Sequence, residues 1–289
     1  MRHGWSWCGE LPGVLSLPLI ALVALGAGCA FAGALGGIGG ATLLVPVLLV
    51  LDVDPLVAAP LGMLTVAAGS LAAATRQLDD GLVHQRLGLS VELFASIGTV
   101  TGALASTLVP EEWLARILGV AALVGAVAAI ARKGLRNQPV GIFDDEPSGE
   151  WPGTLGGSYS LKGSVVPYHA QRVPLGLGLS VFAGVVSGLA GVGGGFLKTP
   201  AMSEVMKVPV KVAAATTTFV SGITAAAALL IYTGQGRVDV RGGAGVVLGA
   251  LLGGAAGARL QSGLDATTVR RVTGVLLVVV AVVVIARTL

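Results

Sequence analysis

The sequence predicts an all-α polytopic membrane protein made of two homologous repeats of about five apolar segments each, with eight to ten transmembrane helices. Three observations predict it. First, 54% of the 289 residues are hydrophobic and 11% are charged, whereas a soluble domain carries about 25% charged residues. So few charges cannot clothe a surface in water, and the mean hydropathy of +0.87 agrees. Second, the 45 glycines would weaken soluble helices by roughly 1 kcal/mol each, but in membrane helices glycine lets backbones approach closely. Third, apolar runs of the roughly 17 to 25 residues needed to cross about 30 Å of hydrocarbon recur along the chain.

In chain order, the first repeat (residues 11–133) opens with the run Leu11 to Leu35. A shorter, glycine-led stretch follows, Gly37 to Leu51, and then Pro55 to Thr75. Leu87 to Pro110 contains one charge, Glu92, and Leu114 to Ala131 carries Arg116 near its start. Residues 134–172 form a polar linker loop with Asp144, Asp145, Glu146, Trp151, Tyr159 and Tyr168. The second repeat (residues 173–289) holds Val173 to Leu197, the short glycine-led Gly191 to Val205, Val212 to Gly236, Gly242 to Ala258, and Val269 to Ala286 with Arg270 and Arg271 near its start. The two short stretches read either as tilted spans or as re-entrant half-helices. Gly26-Ala27-Gly28-Cys29 loosely resembles a lipoprotein cleavage site, but Arg2 is the sole n-region charge, and the repeat makes this run the equivalent of a span that cannot be a signal.

The repeat is visible residue by residue. At an offset of 154, GGIGGATLLVP (Gly36 to Pro46) lies over AGVGGGFLKTP (Ala190 to Pro200), matching Gly37, Gly39, Gly40, Leu43 and Pro46 to Gly191, Gly193, Gly194, Leu197 and Pro200. After a one-residue slip, Gly81, Gly98, Gly102, Arg116 and Gly119 fall on Gly236, Gly253, Gly257, Arg271 and Gly274. An odd number of crossings per copy inverts the second copy, as in many secondary transporters. Ten spans with a cytoplasmic linker put Arg76, Arg86, Lys207, Lys211 and Arg259 inside and Asp52, Asp54, Glu111 and Glu112 outside, in agreement with the positive-inside rule. Eight spans would give parallel copies and a poorer charge split, moving Lys207, Lys211, Arg270 and Arg271 outside.

Paired, glycine-interrupted segments in two repeats point to a central site, because irregular backbone in lipid survives only where protein buries it or water reaches it. Glycines at a helix start expose amide N–H groups to an anion. The candidate binding residues are therefore Gly39, Gly40, Gly193, Gly194 and Gly195, with Lys198, a cation in an apolar run where the first copy has Leu44. Lys198 could equally snorkel to an interface. Thr216, Thr217 and Thr218 offer hydroxyls, or bond their own backbone. Glu92 is a candidate proton carrier for coupling, or a residue facing water near a span end. Gly98 and Gly102, Gly184 and Gly188, and Gly249, Gly253 and Gly257 read as helix contact points.

Other chemistry finds no support. The two cysteines, Cys8 and Cys29, make neither a disulfide framework nor a metal site. His3, His84 and His169 lie outside the spans, and the glycine strings fit no nucleotide-binding pattern. Nothing calls for an enzyme or a cofactor. The net charge of +3 comes from basic residues scattered at segment ends, which suits membrane flanks and not nucleic acid. The expected partners are a small anion and the lipid bilayer, with a homo-oligomer left open.

GLAGVGGGFLKTP followed by VPVKVAAATTTF (Val208 to Phe219), and the weaker first copy GGIGGATLLVP, resemble the sulfite exporter TauE/SafE family, also called the 4-toluene sulfonate uptake permease family. The resemblance covers about residues 17 to 288. It implies a permease of the prokaryotic inner membrane that moves small sulfur-containing or organic anions, such as sulfite or sulfonates, driven by the proton gradient or by the anion's own. The competing expectation is a non-transporting membrane scaffold or assembly protein whose glycines serve packing alone and whose linker binds a partner.

Overall fold

The structure, a computed structural model, describes residues 17–110, 149–161 and 164–265, with scattered positions within 113–120 and 268–282. The predicted spans Leu114 to Ala131 and Val269 to Ala286 lie largely outside the described residues. Six of the described helices are long and apolar enough to cross a membrane. They are α1 (Leu19–Gly36), α3 (Pro55–Asp79), α4 (Gln85–Ala105), α5 (Val173–Ala190), α7 (Val210–Gly234) and α8 (Val240–Gly263). The short helices α2 (Ala41–Val50) and α6 (Gly195–Pro200) lie between, and α6 runs on into a π-helical turn at Ala201–Val205.

Local sequence explains where these helices begin and end. Asp54 caps α3 by accepting from the Leu56 amide at 2.6 Å, with Pro55 in the first helical position. Asp239 caps α8 through the Arg241 and Gly242 amides. The uncharged run Val173 to Leu197 is not one helix: Gly191 at φ 72° ends α5, just as Gly37 at φ 65° ends α1. Conversely, α3 continues past Thr75 to Asp79, since polar residues are tolerated where a span leaves the membrane.

Helix contacts sort the bundle into two parallel triads. Gly249, Gly253 and Gly257 of α8 meet Val23, Ala27 and Phe31 of α1 in ascending order, so these helices run the same way. Ala34, Ala73 and Ala258 cluster, and Gln77 donates to Gln261 at 2.7 Å, which adds α3 in the same direction. The second triad repeats the pattern with the partners exchanged. Gly98 and Gly102 of α4 meet Val181 and Val185 of α5, while Gly184 and Gly188 meet Ala95 and Thr99. Gly88 and Ala103 of α4 face Thr216 of α7 and Gln235 just past its end. A methyl group at any of these seam glycines would overlap a backbone carbonyl or a side chain across the seam, so they are the packing points expected of small residues in membrane helices.

The triads run opposite to each other. Leu56 of α3 accepts from Arg237 beyond the end of α7, Ser70 bonds the Thr218 carbonyl and the Gly222 amide, and Asp80 acts on Lys211 at the start of α7. Because α1 and α3 are parallel, the segment between them must carry the chain back. At 1.5 Å per residue α2 is about 15 Å long, half the hydrocarbon thickness. The α6 segment does the same between α5 and α7. Among the described residues one end of the bundle gathers Arg76, Arg86, Arg172, Lys207, Lys211 and Arg259 together with Asp79, Asp80, Glu150, Glu204 and Asp265, and the other gathers Asp52, Asp54, Arg237, Asp239 and Arg241. Lysine and arginine are thus the more numerous at the first, here the basic end.

The linker departs from the expected loop. Its described part folds as a three-stranded antiparallel sheet, β1 (Gly149–Glu150), β2 (Gly156–Leu161) and β3 (Ser164–His169). Tyr159 pairs with Val166 across β2 and β3, and both are buried against Leu87, Val91, Met202 and Met206. That apolar pair anchors the sheet to the basic end of the bundle through a core shared with the helices.

Candidate functional site

The two glycine turns meet at the centre of the molecule. Gly37 sits on Ala214 of α7 and Gly191 on Ala59 of α3, each so close that a methyl group would overlap the facing backbone. The Thr199 hydroxyl donates to the Gly37 carbonyl at 2.5 Å, and the Thr42 hydroxyl lies 3.3 Å from the Val192 carbonyl, tying each turn to the other copy. Gly195 packs on the Ile38 carbonyl and Gly193 against Val66. Gly39 and Gly40 line a small cavity with Gly33, Thr65, Ser70, Thr218 and Ser221, with room for about one water molecule.

Beside the second turn lies an ion pair. Lys198 of α6 and Glu92 of α4 are 0% and 1% exposed. The Lys198 ammonium donates to Glu92 Oε2 at 2.8 Å and to Thr224 Oγ1 of α7 at 2.9 Å, and the Thr224 hydroxyl in turn donates to Glu92 Oε1. Lys198 therefore does not snorkel and Glu92 does not face water. Each charge buried in the second triad has the other as its counter-ion, as burial in a low dielectric requires. Gly194, at φ 66°, passes close to the Lys198 stem and to Ser187 of α5. Ser187 is fully buried, and its hydroxyl has no hydrogen-bond partner.

The predicted threonines divide. The Thr216 hydroxyl accepts from the His84 amide at 2.9 Å and so caps α4. The Thr217 hydroxyl lies 3.5 Å from the Met202 sulfur. Thr218 bonds the Ala214 carbonyl at 3.0 Å and lines the cavity. Thr218, Ser221 and Thr224 follow one another at spacings of three in a row along α7, the first two lining the cavity and the third on the ion pair. Sequence reasoning missed Thr224 and Ser187. Nothing distinguishes them locally, except that Thr224 lies two helical turns beyond the threonine run.

At the linker end, the His84 imidazole Nδ1 is 3.0 Å from the Tyr168 hydroxyl of β3, and Arg86 bonds and pairs with Glu150 of β1. Burial holds the His84 pKa below the usual imidazole value of 6.5, against the pull of Glu150. Among the described residues no three His, Cys, Asp or Glu side chains gather as a metal site would need.

The family described as "Sulfite exporter TauE/SafE" matches residues 20–284. A "Probable membrane transporter protein YunE" of Bacillus subtilis is 25% identical over 283 residues, which cover 91% of this chain and 96% of that relative. No solved structure matches.

Proposed function

Since the chain belongs to the sulfite exporter TauE/SafE family, as a multi-pass protein of a prokaryotic cell membrane, we propose that it is a secondary transporter of small sulfur-containing or organic anions such as sulfite and sulfonates. It works by alternating access where the two copies meet. The observation that carries this reading is the Lys198–Glu92 pair, fully buried among apolar helices beside a glycine turn. Buried charges in a membrane are costly and mark substrate paths. A scaffold that used its glycines for packing alone would gain nothing from such a pair.

Gly39, Gly40, Gly193, Gly194, Gly195 and Lys198 form the substrate region in this proposal, with Thr218 on the row of hydroxyls and Glu92 as the coupling residue. Thr216 and Thr217 support the helix ends around it. The antiparallel triads support an inverted repeat, and the basic end that carries the linker sheet supports ten crossings with that end in the cytoplasm. Rocking of one triad against the other would open the central turns to each side in turn.

The test is uptake of labelled sulfite, thiosulfate and sulfonates into proteoliposomes, together with thermal stabilisation of the detergent-solubilised protein by the same anions. Saturable flux beyond that of protein-free vesicles is the expected result. Neither flux nor stabilisation with any of these anions would overturn the proposal.

A further inference from the structure

The ammonium of Lys198 is already neutralised, so an anion cannot bind it as it stands. Two of its contacts are polar and short, to Glu92 at 2.8 Å and to Thr224 at 2.9 Å. Any ligand oxygen that takes up the charge of Lys198 must displace the Glu92 carboxylate. Ser187 of α5 stands beside the lysine stem: a methyl group on Gly194 would lie 3.3 Å from the Ser187 Cβ and 3.5 Å from the Lys198 Cε. The Ser187 hydroxyl is a buried donor without an acceptor, and a native structure rarely leaves such a group unsatisfied without a reason.

Displacement has a consequence for protons. Lys198 is the charged group that acts on Glu92. Helix α5 carries no charged residue between Val173 and Ala190, and α7 faces Glu92 with the Thr224 hydroxyl. The titratable groups on α7 are Lys211, at its linker end, and Tyr232, which donates to the Gly188 carbonyl at 2.6 Å. A carboxylate deprived of Lys198 has no other cation acting on it among the described residues and neutralises by taking up a proton.

Building on the transport reading above, we propose that Lys198 exchanges Glu92 for the anion, which the Ser187 hydroxyl also holds, and that the released Glu92 carboxylate takes one proton from solvent, so that every bound anion brings one proton with it. The Lys198 N–H···O bond to Glu92 breaks and one to the anion forms. The proton ends on a Glu92 oxygen, within reach of Thr224 Oγ1. Thr224 is a positioning residue, handing its hydrogen bond from carboxylate to carboxylic acid.

The experiment uses the full chain in detergent, weakly buffered, with thiosulfate and ethanesulfonate as probes, because neither changes charge between pH 5 and 8 and any proton counted belongs to the protein. A pH-indicator dye reads proton uptake, and calorimetry reads binding. The expected result is one proton per bound anion, with affinity rising about tenfold per pH unit lowered, as linkage of one proton requires. Glu92→Gln abolishes the uptake and flattens the pH profile. Ser187→Ala weakens binding without changing the proton count, and because it removes an unsatisfied donor it does not unfold the protein. Binding to the natural chain without proton uptake overturns the proposal and leaves the transport reading standing. An unchanged affinity in Ser187→Ala removes the serine from the site. Absence of any binding by the natural chain overturns both, and since the proton count needs no variant, a Glu92→Gln protein that fails to fold does not block the test.

Discussion

The two triads share a backbone plan and differ in chemistry. In both, one copy supplies two helices and the other copy a third, glycine seams bring carbonyls against α-carbons, and a glycine with positive φ closes the outer helix. In the second triad Lys198 meets Glu92; in the first, the repeat register puts Leu44 and Val247 at those places. Beside the first triad lies instead a small cavity, lined by Gly39, Gly40, Thr65 and Ser70 and closed by Thr218 and Ser221 of α7 from the second triad. The scaffold, which depends on small residues, is thus alike in the two triads. The charged chemistry is confined to one side, so the central region is built from two unlike halves.

The largest expected effect comes from breaking the asymmetry on one side only. Lys198→Ala strands a buried carboxylate, which costs about 3–5 kcal/mol, and should lower the unfolding temperature in detergent along with the flux. Lys198→Leu combined with Glu92→Val copies the other triad. Removing both charges is neutral or stabilising by up to about 1–4 kcal/mol, so this double variant should recover the stability and still carry no anion. Equal flux in the double variant and the natural chain would show that the pair is structural.

Next in size are the turn glycines, which test the symmetry itself. Gly37→Ala and Gly191→Ala each force an alanine into a left-handed conformation and into the facing Ala214 or Ala59 backbone. Backbone strain of this kind costs of order 1–3 kcal/mol before the overlap is counted. The two losses in thermal stability should be similar, and a large difference would mean that the halves are unlike in scaffold as well.

The smallest effect is at the helix starts. Asp239 caps α8 with its own carboxylate, whereas the equivalent His84 at α4 bonds Tyr168 of the linker sheet. With its pKa held low, His84 binds fewer protons in the folded than in the unfolded chain. The stability it lends is full above about pH 6.5 and is lost as pH falls below that value. The protection of the β2 and β3 amides against hydrogen exchange, taken relative to the intrinsic rate at each pH, should fall on acidification through this range, and His84→Gln should remove that fall.

Much of this was legible from single residues. The apolar runs foretold all six long helices, and the glycine and proline matches foretold where the short segments begin. Lys198 and Glu92 were each singled out, but alternatives stayed open for both, since an isolated charge in a sequence carries no sign of its partner. Thr216 to Thr218 looked equivalent as a run, yet a helix turns about 100° per residue, so they face an α4 cap, a methionine and a cavity in turn. The linker read as polar because Tyr159 and Val166 are few among many, and the core they make exists once the strands pair across the helix ends.

The sequence by itself determined that this chain lives in lipid and where the six long described helices lie, because a bilayer admits only backbone that satisfies its own hydrogen bonds and that demand is written locally. Tertiary structure alone decided which copy packs on which and that Lys198 meets Glu92, 106 residues away. Charge neutralisation in a low dielectric acts through space, and only the exchange of helices between the triads brings those two side chains within 2.8 Å.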